Sequence, residues 1–396
     1  MKYASPITLA AIFAASCASA QLNSQPPNAP DQQPAFEQQT RAPEIAPQFE
    51  VAQAVVTDAL DSPWGMAELP DGWLLVTEKS GNLRLVGTDG HVSDPIEGIP
   101  EVDARGQGGL LDVAIAPDFE ETRQIWLSYA EPRGDGTNAT AVATGTLNAE
   151  GTALDDVRVI FQQQPAWASD KHFGSRLVFD QDGMLFVTTG ERSDPEPREL
   201  SQDLTTHFGK VLRIDPQTGA PAANGPDFGE AEALPEIWSY GHRNLQSAAL
   251  DPATGQLWTV EHGPKGGDEL NRPEAGKNYG WPVITYGEEY RGGPVGEGQT
   301  AQDGMEQPVY YWDPVIAPSG MAFYDGEMFP EMQGDILIGG LQASALVRLV
   351  LEDGMVTGEQ HLAQGIGRVR DVEVAGDGSI YLLVEDSGQL VRLTRQ

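Results

Sequence analysis

The stretch from Arg176 to Glu191, RLVFDQDGMLFVTTGE, decides the fold. Two short apolar runs flank an Asp-Gln-Asp-Gly turn, the pattern of a β-hairpin. Related phrases recur as GMAELPDGWLLVTE from Gly65, DVAIAPDFEETRQIWLSY from Asp112, SAALDPATGQLWTVEHG from Ser247, GMAFYDGEMFPEMQGDILIGG from Gly320 and DVEVAGDGSIYLLVED from Asp371. The six copies lie roughly 50 to 70 residues apart, the period of propeller blades rather than of smaller solenoid repeats. A third strand follows some of them, as in SGNLRLV after Glu78 and SGQLVRL after Asp386. A β-sandwich seldom repeats one phrase six times. With 45 glycines and 29 prolines leaving little room for long helices, the chain reads as all-β, a six-bladed β-propeller.

Outside the repeats, the 396-residue chain begins with Lys2, an apolar run from Ile7 to Ala15 and Ala18-Ser19-Ala20. That order predicts a signal peptide over residues 1–20 and a periplasmic or secreted protein. The competing reading, a lipoprotein acylated at Cys17, has only a weak lipobox in Ala14-Ala15-Ser16. Cleavage after Ala20 removes the one cysteine, so stability must come from packing or metal rather than disulfides. Residues 21–48, rich in Gln and Pro, predict a flexible leader, and residues 49–396 the propeller domain. A net charge of −35 excludes nucleic acid and anionic lipid as natural partners. No second apolar run has the length of a membrane span.

In a propeller, chemistry collects in the loops at one mouth of the central channel. Four of the six phrases are preceded by polar residues at the same structural place. Gln107 stands among glycines in ARGQGGLLDV, and His172 precedes the third phrase in SDKHFGSRLVF. His242, Arg243 and Asn244 precede the fourth in YGHRNLQ, and Arg368 and Arg370 open the sixth in GRVRDVEV. An imidazole is the side chain best suited to take a proton near neutral pH. A guanidinium at such a mouth can stabilise oxyanion charge. Arg368 and Arg370 project to one face of an extended segment, which calls for an anionic answer from acidic side chains or from a polycarboxylate or phosphate ligand. Tyr279, Trp281, Tyr290 and Trp312 are aromatic residues that could pack or grip a planar ligand.

The loop EHGPKGGDEL, Glu261–Leu270, lacks the phosphate-loop spacing, and Asp268 and Glu269 would repel an anion. Acidic side chains and exposed carbonyls suit a hard cation instead.

HFGSRLVF, GHRN, EHGPKGGDELN, KNYGWP, APSGMAFY and RVRDV, in this order between about Trp64 and Leu393, resemble the soluble quinoprotein glucose/aldose sugar dehydrogenases, and more closely their bacterial aldose-dehydrogenase-like branch. The resemblance implies a six-bladed propeller that binds pyrroloquinoline quinone (PQQ) and Ca²⁺ and oxidises the anomeric carbon of an aldose to a lactone. It implies that His172 is the general base and that Arg243 and Asn244 lie by the quinone oxygen. Arg368 and Arg370 would receive the cofactor's carboxylates. Gln107, Tyr290 and the Leu341-Gln342 pair fall at further contacts. Carbonyls of Gly263 and Pro264 would hold the Ca²⁺ beside the quinone, and Asp268, Glu269 and the Tyr279 carbonyl region a structural Ca²⁺. Two positions depart from the pattern. Gln342 stands where a lysine is usual, which implies one positive contact fewer. Lys171 replaces the acidic residue that precedes the base in glucose-oxidising members, which implies that sugar hydroxyls meet a cation there instead of a carboxylate.

Two other readings remain at this point, a Ca²⁺-dependent lactonase or esterase on the same fold and a non-catalytic ligand-binding propeller. The specific sugar, the electron acceptor and the choice between monomer and homodimer stay open.

Overall fold

The computed structural model describes residues 25–396, so the expected signal peptide and Cys17 lie outside the described residues. Six antiparallel sheets form the blades. Each repeated phrase supplies the first two strands of one blade: Pro63–Glu68 with Leu74–Glu78, Leu110–Ile115 with Gln124–Gly134, Gly174–Phe179 with Leu185–Thr189, Leu245–Leu250 with Leu257–Glu261, Pro318–Phe323 with Ile336–Gly340, and Val369–Val374 with Ile380–Val384. The six first strands touch one another in cyclic order, which closes the ring. Val51–Thr57 adds the outer strand of the last blade by pairing with Gln389–Arg395, so the two ends of the domain are joined in one sheet. A closed ring leaves no exposed inner edge.

Five blades have four strands and the first has three. Its outer place is partly taken by an irregular segment, in which Ser93 N–H bonds the Leu85 carbonyl and Ile96 N–H the Leu83 carbonyl, both at 2.9 Å.

The first letters of the six phrases, Gly65, Asp112, Arg176, Ser247, Gly320 and Asp371, occupy equivalent places on the inner strands. Arg176 Nη1 lies 2.8 Å from Asp112 and 3.1 Å from Asp371. Glycine is required beside each carboxylate: a Cβ on Gly65 would stand 2.9 Å from Asp112 Oδ1, and one on Gly320 only 1.9 Å from Asp371 Oδ1. This buried ion cluster fills the channel axis, and the Arg176 guanidinium stacks on Trp64 at 4.8 Å. Trp64 lines the cavity at the mouth.

Of residues 21–48, expected as a flexible leader, the described part from residue 25 is largely exposed but is anchored to the propeller at several positions, with Ala29, Gln39 and Ala42 buried. Thr40 pairs in parallel with Tyr311 at the outer edge of the fourth blade, and Glu44 pairs with Glu359 at that of the fifth. Gln39 is wholly buried, bonded through its side chain to Ala35 N–H, the Pro308 carbonyl and Tyr286 Oη. Asn28 and Ala29 donate their backbone N–H groups to the Asp313 carboxylate at 2.5 and 3.0 Å. Composition misled here because the segment needs no apolar core of its own. It meets the unpaired edge groups of two blades with backbone and amide hydrogen bonds.

Candidate active site at the channel mouth

A cavity of about 300 Å³ opens where the first strands begin, walled by residues from all six blades. Trp64, Leu111 and Phe173 form one buried apolar cluster in its wall, and Gln107, Asn244, Gln246, His262, Leu341, Arg368, Arg370, Lys79 and Glu385 supply most of the rest.

His172 immediately precedes the Phe173-Gly174 part of this wall, and 8% of its side chain is exposed. Its Nδ1–H donates to Glu191 Oε2 at 2.7 Å. That bond fixes the tautomer and leaves the Nε2 lone pair available, as a base requires. Among the described residues nothing hydrogen-bonds Nε2. The backbone N–H of His172 donates to Gln107 Oε1 at 2.8 Å, and Gly174 N–H donates to Asn244 Oδ1 at 3.1 Å. Burial lowers the His172 pKa, Arg243 and Arg192 lower it further, and the Glu191 charge opposes them. Glu191 in turn stays ionised despite burial, held below the usual range by His172, Arg243 and the Ser193 N–H.

Left-handed backbone is concentrated here, with φ of 50° at His172, 91° at Ser175, 74° at Arg192 and 69° at Ser193. Non-glycine residues in that region cost about 1 kcal/mol or more each and persist where surrounding structure holds them. Arg192 provides part of that hold, stacked 3.8 Å from the Phe173 ring and bonded to Asn138 and the Ser169 carbonyl.

Arg243 sits beside the base, with Nε 4.0 Å from Glu191 Oε1. Its Nη1 bonds the His262 carbonyl at 2.8 Å, Nη2 lies 3.5 Å from Tyr290 Oη, and the guanidinium stacks on Trp281 at 5.1 Å. Tyr290 itself is 69% exposed at the rim. Arg243 Nε, Arg370 Nε and His262 Nε2 are buried polar atoms without a hydrogen-bond partner among the described residues, which suits the mouth to a polar ligand.

The repulsion expected between Arg368 and Arg370 is met from within the chain. Glu385 Oε2 lies 2.6 Å from Arg370 Nη2 and 3.5 Å from Arg368 Nε, and Gln246 Oε1 accepts from Arg370 Nη1 at 2.9 Å.

In the acidic loop, Gly263 turns so tightly that a Cβ would stand 2.2 Å from the Gly267 carbonyl oxygen. Asp268 faces the loop's own backbone, with Oδ1 accepting from Gly263 N–H at 2.9 Å and Oδ2 from Ala317 N–H at 2.8 Å. Burial pushes its pKa up to about 7. Glu269 lines a small internal cavity of about 10 Å³ together with Glu261, Gly263 and Tyr279. Burial and the neighbouring Glu261 charge push the Glu269 pKa well up. Two carboxylates share this small place with Arg243, and their oxygens are donors of the kind a divalent cation takes. Among the described residues, no group of three or more His, Cys, Asp and Glu side chains forms a metal cluster, so a cation here would rely on carbonyls as well.

The other expected residues separate. Leu341 lines the cavity, whereas Gln342 is exposed. Trp312 is buried in the apolar core of the fourth and fifth blades. Lys171 is paired with Asp170 at 3.0 Å, so the cation next to the base is accompanied by a carboxylate. Sequence reasoning missed Glu191, His262, Gln246, Lys79 and Glu385. A signal for two of them exists: in four phrases a glutamate stands at or within two residues of the end of the second strand, at Glu78, Glu191, Glu261 and Glu385.

A propeller whose one mouth carries an oriented imidazole, a guanidinium beside it and a cation-rich cavity is the form of an oxidoreductase that holds a polar organic cofactor. The family profile described as glucose/sorbosone dehydrogenase matches residues 60–392, and the chain belongs to that family of sugar dehydrogenases. It is 43% identical to the aldose sugar dehydrogenase YliI of Escherichia coli over 344 residues, 86% of this chain and 92% of that one. The apo-form structure of the soluble aldose sugar dehydrogenase from Escherichia coli superposes with a TM-score of 0.83 at 40% identity, covering 88% of this chain and 100% of that one. A PQQ-bound aldose sugar dehydrogenase from Streptomyces coelicolor gives 0.72 at 28% identity, covering 89% and 100%. Among the described residues no helix is long and apolar enough to cross a membrane.

Proposed function

We propose that this chain is an exported, PQQ- and Ca²⁺-dependent aldose dehydrogenase that oxidises the anomeric carbon to the lactone, with His172 as general base. The observation that carries the reading is His172 itself, buried, fixed through Nδ1 by Glu191 and left with a free Nε2 beside the cavity.

The residues present fit the cofactor. The unpartnered N–H groups of Arg243 and Arg370, the His262 ring and the cations of the wall suit a planar polycarboxylate with carbonyl oxygens. Arg243 and Asn244 would hold its quinone end, and Arg368 and Arg370 its carboxylates. Gln107, Tyr290 and Leu341 complete the contacts, while Gln342 stands outside the wall. Carbonyls of Gly263 and Pro264 would hold one Ca²⁺. Glu269 and the Tyr279 carbonyl region would hold a second, with Asp268 bracing the loop between them.

Bound PQQ supplies the hydride acceptor. His172 Nε2 takes the proton from the C1 hydroxyl of the sugar, and Glu191 steadies the imidazolium that results. Arg243 keeps a fixed positive charge at the place where negative charge gathers. The wall of Trp64, Leu111 and Phe173 excludes water from one side of the reacting centre.

The test is to add PQQ and Ca²⁺ to purified protein and follow dye reduction with a panel of aldoses. Turnover that needs both additions is expected. No turnover on any sugar, with no change in quinone absorbance, would sink the reading. The predicted signal peptide supports a periplasmic location, which fractionation of the producing cells checks.

A further inference from the structure

Lys79 has no place in the chemistry described so far, yet it stands on the cavity wall with Arg368, Arg370 and Glu385. It follows Glu78 directly at the end of the second strand of the first blade, and Glu385 follows the second strand of the sixth. Ring closure makes these blades neighbours, so residues far apart in sequence share one end of the cavity. Three cations there face one carboxylate, an excess of two positive charges.

The three cations differ in how they are held. Arg370 is fixed by Glu385 and Gln246, and Arg368 leans on Glu385. Lys79 Nζ has a single hydrogen bond, to the Gly106 carbonyl at 2.9 Å. Burial presses its pKa down, Glu385 opposes this, and the charges of Arg370 and Arg368 add to the lowering. An ammonium carries three donors, so two remain for a ligand.

We propose that Lys79 is the third cation of the cofactor's carboxylate-binding end, donating to a carboxylate oxygen at the end of the cavity it shares with Arg368 and Arg370. This rests on the PQQ reading above. A ligand with several carboxylates removes the repulsion among the three cations, and a neutral sugar does not. The Gly106 bond also places the Lys79 ammonium one residue from Gln107, whose side chain accepts the His172 N–H. The carboxylate end and the base are therefore connected through one short loop.

The test compares the parent protein with Lys79→Met and Lys79→Arg, titrating each with PQQ at saturating Ca²⁺ and following quinone absorbance. Lys79→Met is expected to raise Kd about tenfold, the loss of one charge-assisted contact, and Lys79→Arg to stay near the parent value. Added salt should weaken binding to the parent more than to Lys79→Met, a difference that a merely structural lysine would not produce. With PQQ saturating, the KM for sugar should be unchanged. An unaltered Kd in Lys79→Met, or a raised KM with unaltered Kd, would overturn the assignment and place Lys79 outside the carboxylate end. A parent protein that binds no PQQ would instead bring down the cofactor reading itself.

Discussion

Two histidine–glutamate pairs on successive blades share one sequence interval, and they do different things. His172 and Glu191 in the third blade are 19 residues apart and meet at 2.7 Å; His242 and Glu261 in the fourth are also 19 apart and meet at 2.9 Å. In both, Nδ1 faces the carboxylate. The contrast lies at Nε2. For His242, Ser239 Oγ–H donates to Nε2 at 2.9 Å and the ring stacks on Tyr279 at 4.7 Å, so the side chain is 0% exposed and locked. For His172 the same atom is left open at the mouth. The same pairing, a histidine just before the first strand held by a glutamate 19 residues on, thus serves as the proposed base in one blade and as an internal brace in the next. The neighbours of one nitrogen decide which.

The largest expected break in this comparison is His172→Gln. It should lower kcat by about 1000-fold, within the range for loss of a general base, while PQQ absorbance titration stays near that of the parent. Next comes Glu191→Gln, which keeps the shape but loses the charge that orients and supports the ring; kcat should fall about 100-fold in the same assay. His242→Gln should invert the pattern. Its kcat should stay within about threefold, while thermal or denaturant unfolding shows a loss of about 2 kcal/mol from a disrupted buried network.

The smallest effect is in pH dependence. Burial, with Arg243 and Arg192, holds His172 below an ordinary imidazole, so its neutral, proton-accepting form persists as the solution becomes more acidic. The acid limb of kcat in the loaded enzyme should therefore lie below about pH 6.5, the unperturbed histidine value. In Arg243→Lys the limb should stay low because the positive charge is retained. In Arg243→Gln it should move up, since one of the charges opposing protonation is gone. A limb at or above the ordinary value in the parent would contradict the electrostatic account of the mouth.

Much of the fold was legible because each blade repeats a phrase that a hairpin demands. The equivalent first letters, Gly65, Asp112, Arg176, Gly320 and Asp371, even spell out the ion cluster on the axis once the ring is closed. Legibility stopped where residues meet only through that closure. Lys79 in the first blade and Glu385 in the sixth lie at nearly opposite ends of the chain, and no local pattern brings them together. Glu191 was missed for a different reason. It lies two residues beyond an apolar strand, where a carboxylate reads as a solvated tip, and only the repeated 19-residue interval marks it as a partner. The anchoring of segment 25–48 was missed because sequence composition records few apolar side chains, not the presence of open sheet edges for Thr40 and Glu44 to join.

The central claim is that His172, and not its twin, moves the proton. The most direct measurement mixes PQQ- and Ca²⁺-loaded protein with an oxidisable aldose in a single turnover and follows reduction of the quinone by its absorbance. The parent and His242→Gln are expected to reduce it at similar rates, and His172→Gln about 1000-fold more slowly. Reduction by His172→Gln at the parent rate, with the cofactor equally bound, would contradict the account.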